Sequence, residues 1–313
     1  MRFHLNTSRF RKTAAGLSPA QRGHLAMLAF SALVAGSFSL GAMAAPFVSP
    51  SALTVLRFAL AGVLVGAIAA LTTGLPRTAW RAPWRYGVLG ALLASYFVLM
   101  FWGLQTAAAV PTAAVFTLTP LMAAGFGWLL LGQITTKRMA VALAIGAIGA
   151  LWVVFRGDVA AVMRLDVGRG EVIFFVGCIA HALYAPMVRK LNRGEPAVVF
   201  TFGMLVAGFI LLVIWGWRDV LATDWAAMPA IVWICLIYVS VAASAMSFVC
   251  LQFATLRLPA AKVMAYTYLV PSWVILWEIA LGRSAPPVIV LCGVALTMLA
   301  LGLLLKDEGL ARL

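Results

Sequence analysis

Apolar residues in this chain run in long unbroken stretches, neither alternating as in a half-exposed strand nor striped as in a surface helix. Crossing the hydrocarbon core of a bilayer takes about 20 apolar residues in a helix. Ten stretches of that size lie between charged or Pro/Gly-rich breaks: 24–45, 52–73, 85–106, 110–131, 137–155, 170–189, 197–217, 228–251, 258–281 and 286–305. The faintest division is the third, where Thr106-Ala107-Ala108-Ala109 is the only break. The pattern predicts an all-α polytopic membrane protein of ten transmembrane helices.

Composition agrees. Of 313 residues, 64% are apolar and 10% charged, against roughly 25% charged in soluble domains. So few charges cannot clothe a water-facing surface of this size, which excludes a soluble enzyme, a disordered chain or a disulfide-rich secreted scaffold. The net charge of +14 would suggest nucleic acid in a soluble protein. Here the cations sit at the ends of apolar stretches, so nucleic acid is not expected as a partner. Cys178, Cys235, Cys250 and Cys292 each lie inside an apolar stretch without metal or redox spacing and read as reduced, buried thiols. Basic residues before the first stretch, and Ala42-Met43-Ala44 at its end, resemble a signal peptide. The equally apolar chain that follows favours an uncleaved first span.

Charge also sets an orientation, because Lys and Arg accumulate in cytoplasmic loops. With a cytoplasmic N-terminus, 16 of the 23 basic residues fall on the inner side and 5 on the outer, with Arg57 and Lys262 inside spans. A missed span would invert every later loop, so the asymmetry supports ten spans with both termini cytoplasmic in a bacterial-type inner membrane.

The chain also resembles itself. Pro50 with Ala61-Gly62 matches Pro196 with Ala207-Gly208 at an offset of 146, and Leu104-Gln105-Thr106-Ala107 matches Leu251-Gln252-Phe253-Ala254. Pro111 and Pro120 then match Pro259 and Pro271, with the drift in offset that a short insertion causes. Five spans per unit is an odd number, so the second unit is expected upside down relative to the first, as in inverted-repeat transporters with a midplane site. The expected divisions are an N-terminal cytoplasmic segment at 1–23, a first repeat at 24–155, an extracytoplasmic linker at 156–169, a second repeat at 170–305 and a cytoplasmic tail at 306–313.

Two five-helix units with short loops, a proline near the middle of spans four and nine, and Ala107-Ala108-Ala109 before span four resemble the drug/metabolite transporter superfamily. Over residues 24–305 the chain is similar to its ten-helix EamA type, and within that to YddG-type exporters of aromatic amino acids. It departs from the family in having Ala35-Gly36 in span one in place of Trp-Gly, and Gly132-Gln133 at the end of span four in place of Gly-Glu. The resemblance implies a secondary transporter that exports small metabolites, with aromatic amino acids favoured.

Ionisable groups inside a membrane are costly and often functional. Arg57 lies about a turn and a half into span two, where it could bind a substrate carboxylate, or else snorkel or cap carbonyls. Glu278, at similar depth in span nine, could pair with it, either to gate the outer mouth or merely to neutralise charge. Lys262 is expected to snorkel. His181 and Tyr184 share a helix face and are candidate cavity residues. Tyr96 and Trp102 of span three and Tyr266 and Trp273 of span nine are candidates for an aromatic chamber around a bulky zwitterion, the alternative being plain helix packing. Thr117, Thr119, Ser244, Ser247, Gln105 and Gln252 add neutral polar groups, and Pro120 and Pro271 are candidate helix-bending points that free a carbonyl one turn back.

Three function classes are in play. An exporter of amino acids or related metabolites fits the repeat and the short loops. A proton-coupled multidrug exporter would want a carboxylate early in the chain, and span one has none. A membrane-embedded enzyme would need a cluster of His, Asp, Glu or Cys, which the sequence lacks. A channel or receptor leaves the duplication unexplained. No Walker-type loop is present. No cofactor or metal is expected. The expected partners are a small-molecule substrate and the lipid bilayer, and the chain is expected to be a monomer.

Overall fold

A computed structural model describes residues 18–164 and 167–305. Ten helices among them are long and apolar enough to cross a membrane: Pro19–Ala44, Pro50–Thr72, Trp84–Leu104, Ala109–Leu131, Lys137–Val154, Arg169–Leu191, Ala197–Ala222, Ala230–Thr255, Ala260–Ala280 and Val288–Leu305. They are called spans one to ten. No strand occurs among the described residues, and the molecule is an all-helical, multi-pass membrane protein. Residues 306–313 and most of the 1–23 segment lie outside the described residues.

Local chemistry sets the ends. Span one begins earlier than its apolar stretch. Ser18 accepts the Gln21 N–H through its hydroxyl, and Gln21 Oε1 accepts the Ser18 N–H at 2.8 Å, forming a capping box with Pro19 in the first turn. Span two starts at Ser49-Pro50, where the Ser49 hydroxyl accepts the Ala52 N–H at 3.3 Å without a reciprocal side-chain bond. Gly132 closes span four in the left-handed region at φ 65°, where a Cβ would cost energy. The expected linker at 156–169 contains a further short helix, Val159–Arg164.

Three spans are interrupted. Span four is two helices, Ala109–Phe116 and Thr119–Leu131, parted at Thr117-Leu118. Span nine is interrupted by a 3-10 turn at Tyr266–Leu269. Pro120 and Pro271 each sit in the first turn of the helix after the break, where proline is tolerated. Pro111 and Pro120 are 9 positions apart, while Pro259 and Pro271 are 12 apart. The difference arises because Pro259 is the N-cap of its helix while Pro111 lies inside its own; from helix start to break both spans run ten residues, 109–118 and 260–269. The carbonyls the prolines free are satisfied locally: the Thr119 hydroxyl donates to Phe116 O at 2.7 Å, and the Val270 N–H donates to Thr267 O. Span eight contains a π-helical segment at Val241–Met246, which nothing in the sequence pattern announces.

The packing has a regular plan. Span two lies along span seven, and span five along span ten. Span three packs on span six as span eight does on span one, and span four packs on span six as span nine does on span one. Exchanging every span for the one five places away leaves this set of neighbours unchanged. Glycines set the closest crossings. A Cβ on Gly149 of span five would come 2.7 Å from Gly293 O of span ten, and one on Gly103 of span three 2.6 Å from Gly170 O of span six. Backbones this near leave room for no side chain, the usual means of tight packing where lipid removes the hydrophobic drive between helices.

Candidate functional site

Where spans two, three and eight meet, the side chain of Arg57 is fully buried. Its Nε donates to Ser244 Oγ at 2.6 Å and Nη2 donates to Ala243 O at 2.7 Å. Both acceptors belong to the π segment, whose widened turn is set against the guanidinium. The guanidinium carbon lies 3.5 Å from the centroid of the Phe97 ring. Nη1 has no partner. The expected Arg57–Glu278 pairing does not form: Glu278 pairs with Arg283 at 3.4 Å, just beyond its own helix. The reason is that span nine packs on span one, whereas Arg57 meets span eight. Among the described residues Arg57 has no carboxylate within ion-pair reach.

From Arg57 a strip of rings leads into the interior. Phe97 meets Tyr96 with centroids 4.6 Å apart, Tyr96 meets His181 at 4.5 Å, and His181 meets Tyr184 at 6.4 Å. Phe116 flanks His181 at 4.9 Å. The strip ends where Gln252 Nε2 donates to the Tyr184 hydroxyl at 2.8 Å. His181 Nδ1 and Gln252 Oε1 have no partner, and neither do the hydroxyls of Ser240 and Ser247 on span eight. Buried polar groups are nearly always hydrogen-bonded, and each one left open costs about 1–3 kcal/mol. Several such atoms along one aromatic strip mark the place where a polar ligand would gain most. In this arrangement the strip is shut: Tyr96, His181 and Tyr184 are all buried.

The other expected site residues divide. Tyr96, His181, Tyr184 and Ser244 belong to this strip. Thr117 is buried, but its hydroxyl bonds back to Ala114 O at 2.6 Å. Tyr266 is buried nearer the face where the chain enters, its hydroxyl 3.0 Å from His24 Nδ1, and Trp273 donates to Ser31 Oγ at 3.2 Å. Neither reaches His181. Trp102 must be corrected: it is 48% exposed and points away from the interior, as a lipid-facing residue does. Lys262 is buried and does not snorkel, and Cys292 is exposed. No group of three His, Cys, Asp or Glu able to hold a metal occurs among the described residues.

A second buried arginine escaped the sequence reading. Arg85, at the start of span three, donates to Glu195 Oε1 at 2.6 Å, to Leu191 O at 2.7 Å and to Ala82 O at 3.2 Å. Glu195 lies in the loop between spans six and seven and also accepts the Arg193 N–H at 2.6 Å. Burial pushes the Glu195 carboxyl up, but the hydrogen bonds from Arg85 and from the backbone outweigh it and hold the group below its ordinary value. On the opposite face Asp219 of span seven accepts hydrogen bonds from Ser49 and Ser51 at the start of span two.

Two stretches, residues 21–155 and 168–306, match the EamA-like transporter family. The chain belongs to the EamA-like transporter family. The gap between the two matches coincides with the segment that holds the short helix Val159–Arg164. An uncharacterized transporter of Bacillus subtilis (strain 168), YyaM, is 27% identical over 194 residues, which are 61% of this chain. The chain spans 64% of that relative's length. A solved crystal structure with 21% sequence identity superposes with a TM-score of 0.68 over 94% of this chain and 99% of the other, a likeness of fold. Arg57 with its ring strip is the candidate ligand site of this EamA-like chain.

Proposed function

We propose that the protein is a secondary transporter that exports small metabolites, amino acids with aromatic side chains foremost, across a bacterial-type inner membrane. The observation that carries this reading is Arg57: a guanidinium buried in the membrane interior, held by neutral acceptors only, with Nη1 open. Burying a cation without its anion is costly, and a substrate carboxylate would meet the open donor in a charge-assisted hydrogen bond. The aromatic strip beside it suits the rest of an aromatic amino acid. Two inverted five-helix halves, with both termini cytoplasmic, would expose the strip alternately to each side by exchanging conformations. The matched pairs of packing neighbours and the two family matches support that division into halves.

The test is flux. Purified protein in liposomes is expected to move labelled aromatic amino acids down a gradient or in exchange, and uptake no faster than in protein-free liposomes would reject the reading. The same assay with an imposed pH gradient separates facilitated flux from proton antiport, the mechanism expected of a multidrug exporter.

A further inference from the structure

The ring strip has two polar ends. One is the open Nη1 of Arg57. The other is a pair of atoms without partners, His181 Nδ1 and the end of the Gln252 amide not bonded to Tyr184. The rings of Phe97 and Tyr96 lie between, 4.6 Å apart, and Tyr96 stands 4.5 Å from the His181 ring. A ligand carrying a carboxylate, then an aromatic ring, then a polar substituent has its groups in the same order. Tyr184 is the wrong group to complete the far end, because its hydroxyl is already committed to the amide. Both ends of a side-chain amide and both ring nitrogens of a histidine form hydrogen bonds. A hydroxyl, which both donates and accepts, can pair with the open amide end and with Nδ1.

The geometry points to a specificity site at Gln252 and His181 that reads a hydroxyl on the substrate's ring, so the transporter prefers a hydroxylated aromatic amino acid to its unsubstituted analogue. This rests on the carboxylate reading of Arg57 and adds the far end to it. The physical ground is asymmetric. A purely apolar pocket discriminates weakly against an added hydroxyl, whereas a site built to hydrogen-bond one strongly rejects the analogue that lacks it, because its own buried groups then stay unpaired. Gln252 arises from the same Leu-Gln match that yields Gln105 in the first half, but only Gln252 is buried; Gln105 is exposed at its helix end. The polar far end therefore belongs to one half alone.

The experiment compares tyrosine with phenylalanine in the liposome assay, as initial fluxes and as competition between the two. Wild-type protein is expected to favour tyrosine by about tenfold or more. In Gln252→Met, close in size and without the open amide, the ratio of tyrosine to phenylalanine flux is expected to fall about tenfold towards unity. Equal wild-type fluxes for the two amino acids would overturn the inference while leaving the transport reading in place, and this outcome does not depend on any variant folding. A Gln252→Met protein whose two fluxes fall together, at an unchanged ratio, would overturn it too and make Gln252 a packing residue. Flux of neither amino acid by wild-type protein would remove the inference together with the reading on which it rests.

Discussion

Arg57 and Arg85 are the two arginines this fold buries most completely, and they are treated in opposite ways. Arg85 stands at the end of a span and is given a carboxylate, Glu195, together with the carbonyl of Ala82 before span three and that of Leu191 at the end of span six. Arg57 stands within a span and is given a serine hydroxyl, one carbonyl and a phenyl ring, with a donor left over. A cation that is structural is completed by the protein itself. On the proposed reading, the cation the protein leaves incomplete is placed for a substrate carboxylate.

That contrast can be broken by removing each arginine in turn. Arg85→Met leaves the half-buried Glu195 without its partner and is expected to lower stability by about 1–3 kcal/mol, read as a loss of melting temperature in detergent. Adding Glu195→Leu should restore most of that loss, since a buried pair replaced by apolar residues is often neutral. Arg57→Met should do the reverse: flux falls about a hundredfold, about 2.7 kcal/mol in the barrier, while the melting temperature holds or rises. Equal thermal damage in both variants would erase the distinction.

Acid sharpens the comparison further. The Glu195 carboxyl is held below its ordinary value in the folded protein, so its contribution is complete above the unfolded value of about 4.3. That contribution fades as the pH falls from there through the lower folded value, because the unfolded chain takes up the proton first. Wild-type and Arg57→Met proteins should both lose melting temperature below about pH 4.3, and the Arg85→Met/Glu195→Leu double variant should lose less. A double variant as acid-sensitive as wild type would remove Glu195 from the account. The smallest effect is expected at Trp102, which faces outward: Trp102→Ala should change stability by about 0.5 kcal/mol or less and leave flux as it was, and a large loss of flux would return it to the interior.

The two arginines differ in legibility as well. Arg57 could be read from the sequence because a lone charge interrupts a long apolar stretch. Arg85 could not, since an arginine where a span meets a loop looks like any other member of a charged cytoplasmic flank, and Glu195 is 110 positions away. Glu278 misled for a related reason: equal depth along two helices says nothing about whether those helices touch. Trp102 misled because lipid and protein interior are alike apolar, so an aromatic residue in a span carries no mark of the side it faces.

The sequence by itself determined the ten spans, their order and their doubling, because water expels about 20 apolar residues whatever their neighbours and because a duplicated unit keeps its prolines in order. Only the tertiary structure decided which polar atoms are answered and which are left open. That depends on which helix faces meet, and on a π segment at Val241–Met246 that sets a hydroxyl and a carbonyl against Arg57 but leaves one of its nitrogens without a partner.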